Sequence, residues 1–269
     1  MFKNITIGQY YPADSFIHRM DPRMKLLATL AYITMLFTLG HLWGYLFVSV
    51  CLAAAIWISK VPPGYLFRGL RGILMIVIFT AAINILFTPG ERVLLVLWGA
   101  RITLEGVTAA IAMCVRLTLL IVGSSLLTLT TSSIQLTDAI EFILKPFKKL
   151  GVPSHEIAMM MTIALRFIPT LLEEMDKIRK AQTARGADFE TGGIMKKAKS
   201  LVPLLVPLFI SAFRRADELA VAMEARCYRG DQGRTRMKEM QLHKRDYKAL
   251  LFLIMFIAGV IFLDLVLAA

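Results

Sequence analysis

The sequence predicts an all-α integral membrane protein. About five transmembrane helices are joined to a cytoplasmic, interfacial module of long amphipathic helices. Three observations carry this prediction. The 269 residues are 57% hydrophobic, and the mean hydropathy is +0.64, outside the usual range of a soluble domain. Five apolar stretches each approach the roughly 20 residues that cross about 30 Å of hydrocarbon. No alternating barrel pattern is present, so backbone groups inside a bilayer can be satisfied only within helices. Finally, the segment between the fourth and fifth stretches is basic and carries two helical stripes in the same register.

The first stretch, Leu26 to Leu39, becomes a span if Met24 and His41 sit at the interfaces. Trp43 to Ser59 follows a Gly40-His41 turn, and Ile73 to Phe87 is closed by Pro89-Gly90. Leu104 to Leu129 is the longest, and Ala249 to Leu267 is the fifth. Arg19, Arg23 and Lys25 precede the first span; Lys60, Arg68 and Arg71 separate the second from the third. The positive-inside rule places these cations in the cytoplasm. The Gly40 turn has no Lys or Arg, and the Pro89–Thr103 loop holds only Arg92 and Arg101, so both are expected outside. The amino terminus is then cytoplasmic. The first 25 residues carry charges and prolines without an apolar h-region, which argues against a cleavable leader.

Ser132 to Tyr247 holds 20 of the 31 Lys and Arg residues. Residues 1–131 are therefore read as four spans, 132–247 as the amphipathic module, and 248–269 as a C-terminal span. Ser132-Ser133 is a credible start for a helix over Ile134–Leu144, ended by Pro146. The next apolar runs are broken by polar or helix-breaking residues: Ile157–Leu172 by Arg166 and Pro169, Leu201–Phe213 by Pro203 and Pro207. Each is expected to form a helix with an apolar first half and a polar second half; the alternative is seven spans.

Within this module a short motif recurs. Ala184-Arg185-Gly186 and Ala225-Arg226-Cys227 each end an apolar stripe, and the arginines lie 41 residues apart (226 − 185). Ala164, Ile168, Leu171, Met175 and Ile178 precede the first; Leu205, Phe209, Ala212, Ala216 and Leu219 occupy the matching positions before the second. Both rows step by four and three residues and draw one face of a helix. Asp176 and Asp217 recur in register too, as do Ala181 and Ala222. A cation at a helix end complements the macrodipole by about 0.3–1 kcal/mol, and Gly186 suits a left-handed cap. Cys227 replaces that glycine in the second copy, so capping alone does not explain the sameness. A guanidinium also offers a rigid five-donor fork for carboxylates or carbonyls of a partner. The methionines Met159, Met160 and Met161 suit either core packing or an adaptable surface.

Other chemistries find little support. There is no GxxxxGK[ST] phosphate cradle and no GxSxG elbow. His155-Glu156 begins like HExxH, but Met159 stands at the second histidine's position. Cys51, Cys114 and Cys227 lack CxxC spacing, so neither disulfides nor a metal is expected. The net charge of +12 alternates with acids and flanks membrane segments, which argues against nucleic acid. Arg116 lies inside the fourth span and Asn84 late in the third. For Arg116 a helix–helix hydrogen bond, or a contact with the polar Ser124–Ser133 stretch, is favoured over proton relay, since no carboxylate accompanies it.

Over essentially its whole length the chain resembles the transmembrane coupling subunit (T component) of energy-coupling factor vitamin transporters. The resemblance rests on Asp21-Pro22-Arg23, Ala184-Arg185-Gly186-Ala187-Asp188 and Glu224-Ala225-Arg226. It implies a non-enzymatic subunit of an importer in the bacterial cytoplasmic membrane. Two ABC-type ATPase subunits, which bind the ATP, would hold the ends of two coupling helices at Ala184, Arg185 and Gly186 and at Ala225, Arg226 and Cys227. The coupling face (Ala164, Ile168, Leu171, Met175, Leu205, Phe209, Ala212, Ala216) would cradle a small substrate-binding membrane protein, the S component. The Gly186–Glu190 segment resembles the shared type, which serves several vitamin binders, more than the dedicated cobalt or biotin type. The chain itself would hold no cofactor. A self-contained secondary carrier with its own substrate site is the alternative.

Overall fold

A computed structural model describes residues 10–40, 42–90, 92–97, 100–187, 189, 193–230 and 243–268. His41, Asp188 and Glu190, used above, lie outside the described residues. In chain order the elements are α1 (Pro22–Thr38), α2 (Leu42–Ser59), α3 (Pro63–Phe87), β1 (Val93–Leu97), β2 (Ala100–Thr103), α4 (Leu104–Thr130), α5 (Ser133–Leu144), a 3₁₀ helix (Lys145–Leu150), α6 (Ser154–Ala184), α7 (Ile194–Ala225) and α8 (Lys244–Ala268). The chain divides into two compact units: residues 8–139 with 239–269, and residues 140–238 with the first seven.

The larger unit is a helical bundle. Its helix starts follow from local chemistry. The Asp21 carboxylate accepts from the Arg23 N–H at 2.9 Å, and Pro22 begins α1, where the missing N–H costs nothing. Thr103 opens α4 by accepting from the Gly106 N–H at 3.1 Å. Pro63 opens α3 ten residues before the expected start at Ile73, because its polar first turns continue the same helix. The core is built from Met35, Leu36 and Leu39 of α1, Tyr45, Val48 and Leu52 of α2, Leu119 of α4, and Phe256 and Val260 of α8. Gly123 is a notch for the Tyr32 ring: a Cβ there would lie 2.3 Å from it. The Tyr32 hydroxyl donates to the Leu119 carbonyl at 2.8 Å. α3 packs mainly on α4 and leaves Met75, Phe79 and Phe87 exposed, as a helix facing lipid does.

Three features of this unit go beyond the expected spans. The loop after α3 contains a two-stranded antiparallel hairpin pairing Val93 with Thr103 and Leu97 with Ala100. Arg116 ties three helices together: its Nε donates to the Tyr45 hydroxyl at 2.8 Å, and Nη2 donates to the Leu39 carbonyl at 3.0 Å. That carbonyl also accepts the Tyr45 hydroxyl at 3.1 Å, so the cation closes a hydrogen-bonded triangle at the end of α1. Of the two structural roles expected for Arg116 the helix–helix bond is present, whereas Asn84 donates within its own helix, to Thr80, at 2.9 Å. Third, Lys25 is a buried cation (4% exposed). Its ammonium donates to the carbonyls of Thr130 at 2.9 Å and His18 at 3.2 Å. Beside it, the buried Asp246 carboxylate accepts from the N–H groups of Asp21 and His243, each at 2.8 Å. An acid in the first turn of α8 thereby caps its own helix and clasps the start of α1. His18, between the Ser15 hydroxyl and the Tyr11 carbonyl, is pushed below its ordinary pKa, chiefly by burial.

α5 crosses the division between the units at Ala139. Ser132 and Gln135 cap it reciprocally, each side chain accepting from the other's N–H at 3.4 and 3.2 Å, a capping box. The smaller unit is dominated by α6 and α7, which pack on one another. Here the expectation of one long helix holds, but the expectation that its apolar run is too short to cross a membrane needs correcting. The helix runs unbroken for 31 residues, with Pro169 inside it. Proline removes one hydrogen bond and bends a helix, but the apolar pattern on both sides keeps the helix going. Four helical segments are long and apolar enough to cross a membrane by length and composition, among the described residues: Leu42–Ser59, Gly69–Phe87, Leu104–Thr130 and Ser154–Ala184. α7 likewise continues through Pro203 and Pro207 for 32 residues.

Candidate functional site

The site predicted from the repeat lies in the smaller unit, at the carboxyl ends of α6 and α7. Each helix ends one residue before its arginine, and the two arginines share a backbone conformation: Arg185 has φ −87°, ψ 5°, Arg226 has φ −94°, ψ 13°. The next residue turns left-handed in both copies, with Gly186 at φ 88° and Cys227 at φ 55°. The hydrogen bonds repeat as well. The Gly186 N–H donates to Thr183 at 2.9 Å, and the Ala187 N–H to Gln182 at 3.0 Å. Forty-one positions on, the Cys227 N–H donates to Glu224 at 2.8 Å, and the Tyr228 N–H to Met223 at 3.1 Å. This is the 5→2, 6→1 pairing of a Schellman cap. Cys227 thus adopts the cap that glycine takes in the first copy, at the expense of a left-handed backbone for an L-residue.

Both arginines are exposed. Among the described residues neither guanidinium has a hydrogen-bond or ion-pair partner, whereas nearby cations do: Arg179 pairs with Asp176 at 3.6 Å, and Arg215 with Glu174 at 3.6 Å. The last pair joins the two helices. Glu174 and Arg215 are themselves equivalent positions of the repeat (215 − 174 = 41). Each arginine tip lies 11 residues beyond that contact (185 − 174 and 226 − 215), about 16 Å along its helix at 1.5 Å per residue. The two tips therefore lie equal lengths of helix beyond one shared contact.

The predicted apolar face divides along its length. Ala164, Ile168, Leu205, Phe209 and Ala216 are exposed, while Leu171, Met175 and Ala212 are half-buried. Phe209 is 60% exposed and Phe213, one turn on, 69%. Ala184 and Ala225 are also exposed. His155, rejected as a ligand, lies 3.3 Å from the Glu141 carboxylate. Sequence reasoning passed over Arg215 and Glu174; their 41-residue spacing was the signal that could have found them.

Residues 13–238 match the family model described as cobalt transport protein (CbiQ). The chain belongs to this family. It is 59% identical over 250 residues to the energy-coupling factor transporter transmembrane protein EcfT of Clostridium kluyveri, covering 93% of each chain. The protein of the same name from Ruminiclostridium cellulolyticum is 51% identical over 267 residues, covering 99% of each; that from Lactococcus lactis is 46% identical, covering 91% of this chain and 92% of its own. The CbiQ-family member described here is accordingly a transmembrane component of an energy-coupling factor transporter, a transport subunit of a multi-subunit membrane complex.

Proposed function

We propose that this chain transmits the energy of ATP hydrolysis from two ABC-type ATPase subunits to a small substrate-binding membrane protein (the S component) in a bacterial importer of vitamins or micronutrients. One observation carries the reading: two exposed guanidinium groups, without a partner among the described residues, stand on helix ends with the same capping bonds, each 11 residues beyond the Glu174–Arg215 contact. Two like sockets on two like partners would accept them, since a guanidinium fork binds carboxylates and carbonyl edges bidentately. Ala184, Arg185 and Gly186 would fill one socket, and Ala225, Arg226 and Cys227 the other. Residues 132–247 act as the coupling module, between four preceding spans and a C-terminal one, with module and amino terminus cytoplasmic. When the ATPases change their separation, α6 and α7 move as levers about the Glu174–Arg215 contact. Packed elements switch between discrete arrangements rather than deforming smoothly. The exposed apolar residues Ala164, Ile168, Leu205 and Phe209 would then shift against the S component and reorient it. The chain itself holds no cofactor, and several interchangeable substrate binders share it.

The test is the double variant Arg185→Ala, Arg226→Glu, assayed for co-purification of ATPase subunits and for uptake. Both should be lost. Normal assembly and uptake in that variant would overturn the reading, as would transport by the purified chain alone, which a self-contained carrier predicts.

A further inference from the structure

The larger unit holds a half-open cavity of about 410 Å³ between α1, α2, α4 and α8. Small residues make the room: Ala28 on α1, Ala54 and Ala55 on α2, Gly123 on α4 and Ala249 on α8. Its lining is almost wholly apolar, and Phe16, Ile17 and Met20 line it from the segment that leads into α1. Part of the cavity's lining comes from one end of the bundle. Lys25 starts α1, Ile58 ends α2, Thr130 ends α4 and Lys248 starts α8, and all four line it.

The charges at that end are arranged in a particular way. Lys25 is buried and already donates to two carbonyls, and Asp246 is buried and spends its carboxylate on two backbone N–H groups. Lys244, Arg245 and Lys248 at the start of α8 are exposed, and of these Lys248 lines the cavity, which gives it one exposed positive charge. α8 then presents one continuous face to the cavity: Lys248, Ala249, Phe252, Leu253 and Phe256 all line it. Positions 248, 252 and 256 are successive turns, with a cation at the membrane-boundary end and aromatic rings below it. Charge at one end and hydrocarbon beneath is the outline of an anionic amphiphile, and basic pockets between membrane helices bind anionic headgroups.

We propose that this cavity is a binding site for an anionic phospholipid, with an acyl chain between α1, α2, α4 and α8 and the headgroup phosphate on Lys248. Neither the docking arginines nor the coupling face enters this site.

The full chain, with the subunits that co-purify with it, is reconstituted in phosphatidylcholine vesicles containing a trace of phosphatidylglycerol with a diazirine in its acyl chain. Matched vesicles carry the diazirine on phosphatidylcholine. Photolabelling should concentrate in the peptides holding Ala28–Tyr32 and Ala249–Phe256, and phosphatidylglycerol should exceed phosphatidylcholine about fivefold, the worth of one lysine beside an anionic surface. Lys248→Glu should abolish that preference. Ala55→Phe, which fills the cavity from α2, should reduce labelling of these peptides by both probes. Equal labelling by the two lipids, an unchanged preference in Lys248→Glu, or labelling confined to the outward residues Met75 and Phe79 would each overturn the proposal. So would competition by a free fatty acid but not by unlabelled phosphatidylglycerol.

Discussion

The two helix ends differ in one respect that can be measured. At Gly186 the left-handed backbone, φ 88°, is held by a residue suited to it; at Cys227 a similar turn, φ 55°, is held by a residue that is not. An L-residue in this region costs about 1–2 kcal/mol. A Cβ built on Gly186 meets nothing within 4 Å, so Gly186→Ala adds no steric clash and the backbone term stands alone. The lower entropy of the unfolded alanine offsets about 0.4–1 kcal/mol of it, which leaves a net loss near 1 kcal/mol. Cys227→Gly runs the other way: it relieves the same strain and gives back about 0.5–1 kcal/mol of glycine entropy, a net gain of some tenths to 1 kcal/mol. Amide hydrogen exchange reads both, because the capping bonds are made by the N–H groups of residues 186, 187, 227 and 228. With 1.36 kcal/mol per factor of ten, exchange at 186 and 187 should quicken about fivefold in Gly186→Ala. At 227 and 228 it should slow two- to fivefold in Cys227→Gly. Opposite signs are the essential result. Unchanged exchange in the first variant, or faster exchange in the second, would refute the shared cap.

Two further substitutions test the larger unit. Arg116→Leu removes two charge-assisted donors from the α1–α2–α4 triangle and should cost about 2–3 kcal/mol, seen as a lower thermal midpoint in detergent; an unchanged midpoint would show the triangle to be idle. Asp246→Ala strips the acceptor from two N–H groups at a buried position. It should cost a similar amount, about 2–3 kcal/mol, and speed exchange at Asp21 and His243 together; a change at one of them alone would contradict the clasp.

How much of this was legible in the sequence depended on range. α2, the apolar part of α3, and α4 were readable because an apolar run of span length admits one solution in hydrocarbon. The repeat was readable because a 41-residue offset preserves helical phase on both stripes. The hairpin over Val93–Thr103 was missed: a five-residue apolar run beside Pro89-Gly90 fits a short strand as well as a loop. α6 was read as one long helix, but its apolar run was judged too short to span because Arg166 and Pro169 were counted as interruptions, when a proline within a long apolar helix only bends it. Lys25 was read as an interfacial cation. Its burial depends on the Thr130 carbonyl, 105 residues away, and no local pattern reports that. Arg116 could be recognised as structural, but its partners Leu39 and Tyr45 come from other helices.

Cys227 bears on what the helix ends are for. Were the turn after Arg226 required only to finish a helix, the chain had cheaper routes, since a helix can fray, tighten into 3₁₀ geometry or end on an extended residue, as α1 and α3 do. Instead α7 keeps a left-handed turn on a residue that disfavours it, and repeats the bond pattern of α6. The turn fixes the direction in which the arginine leaves the helix and how the following chain clears it. Lys60, directly after α2, takes the same left-handed turn at φ 56°, so this conformation on an L-residue is not by itself a mark of the arginine ends. What sets α7 apart is that its end repeats the bond pattern of α6 position for position, which is what the docking of two like ends proposed above requires.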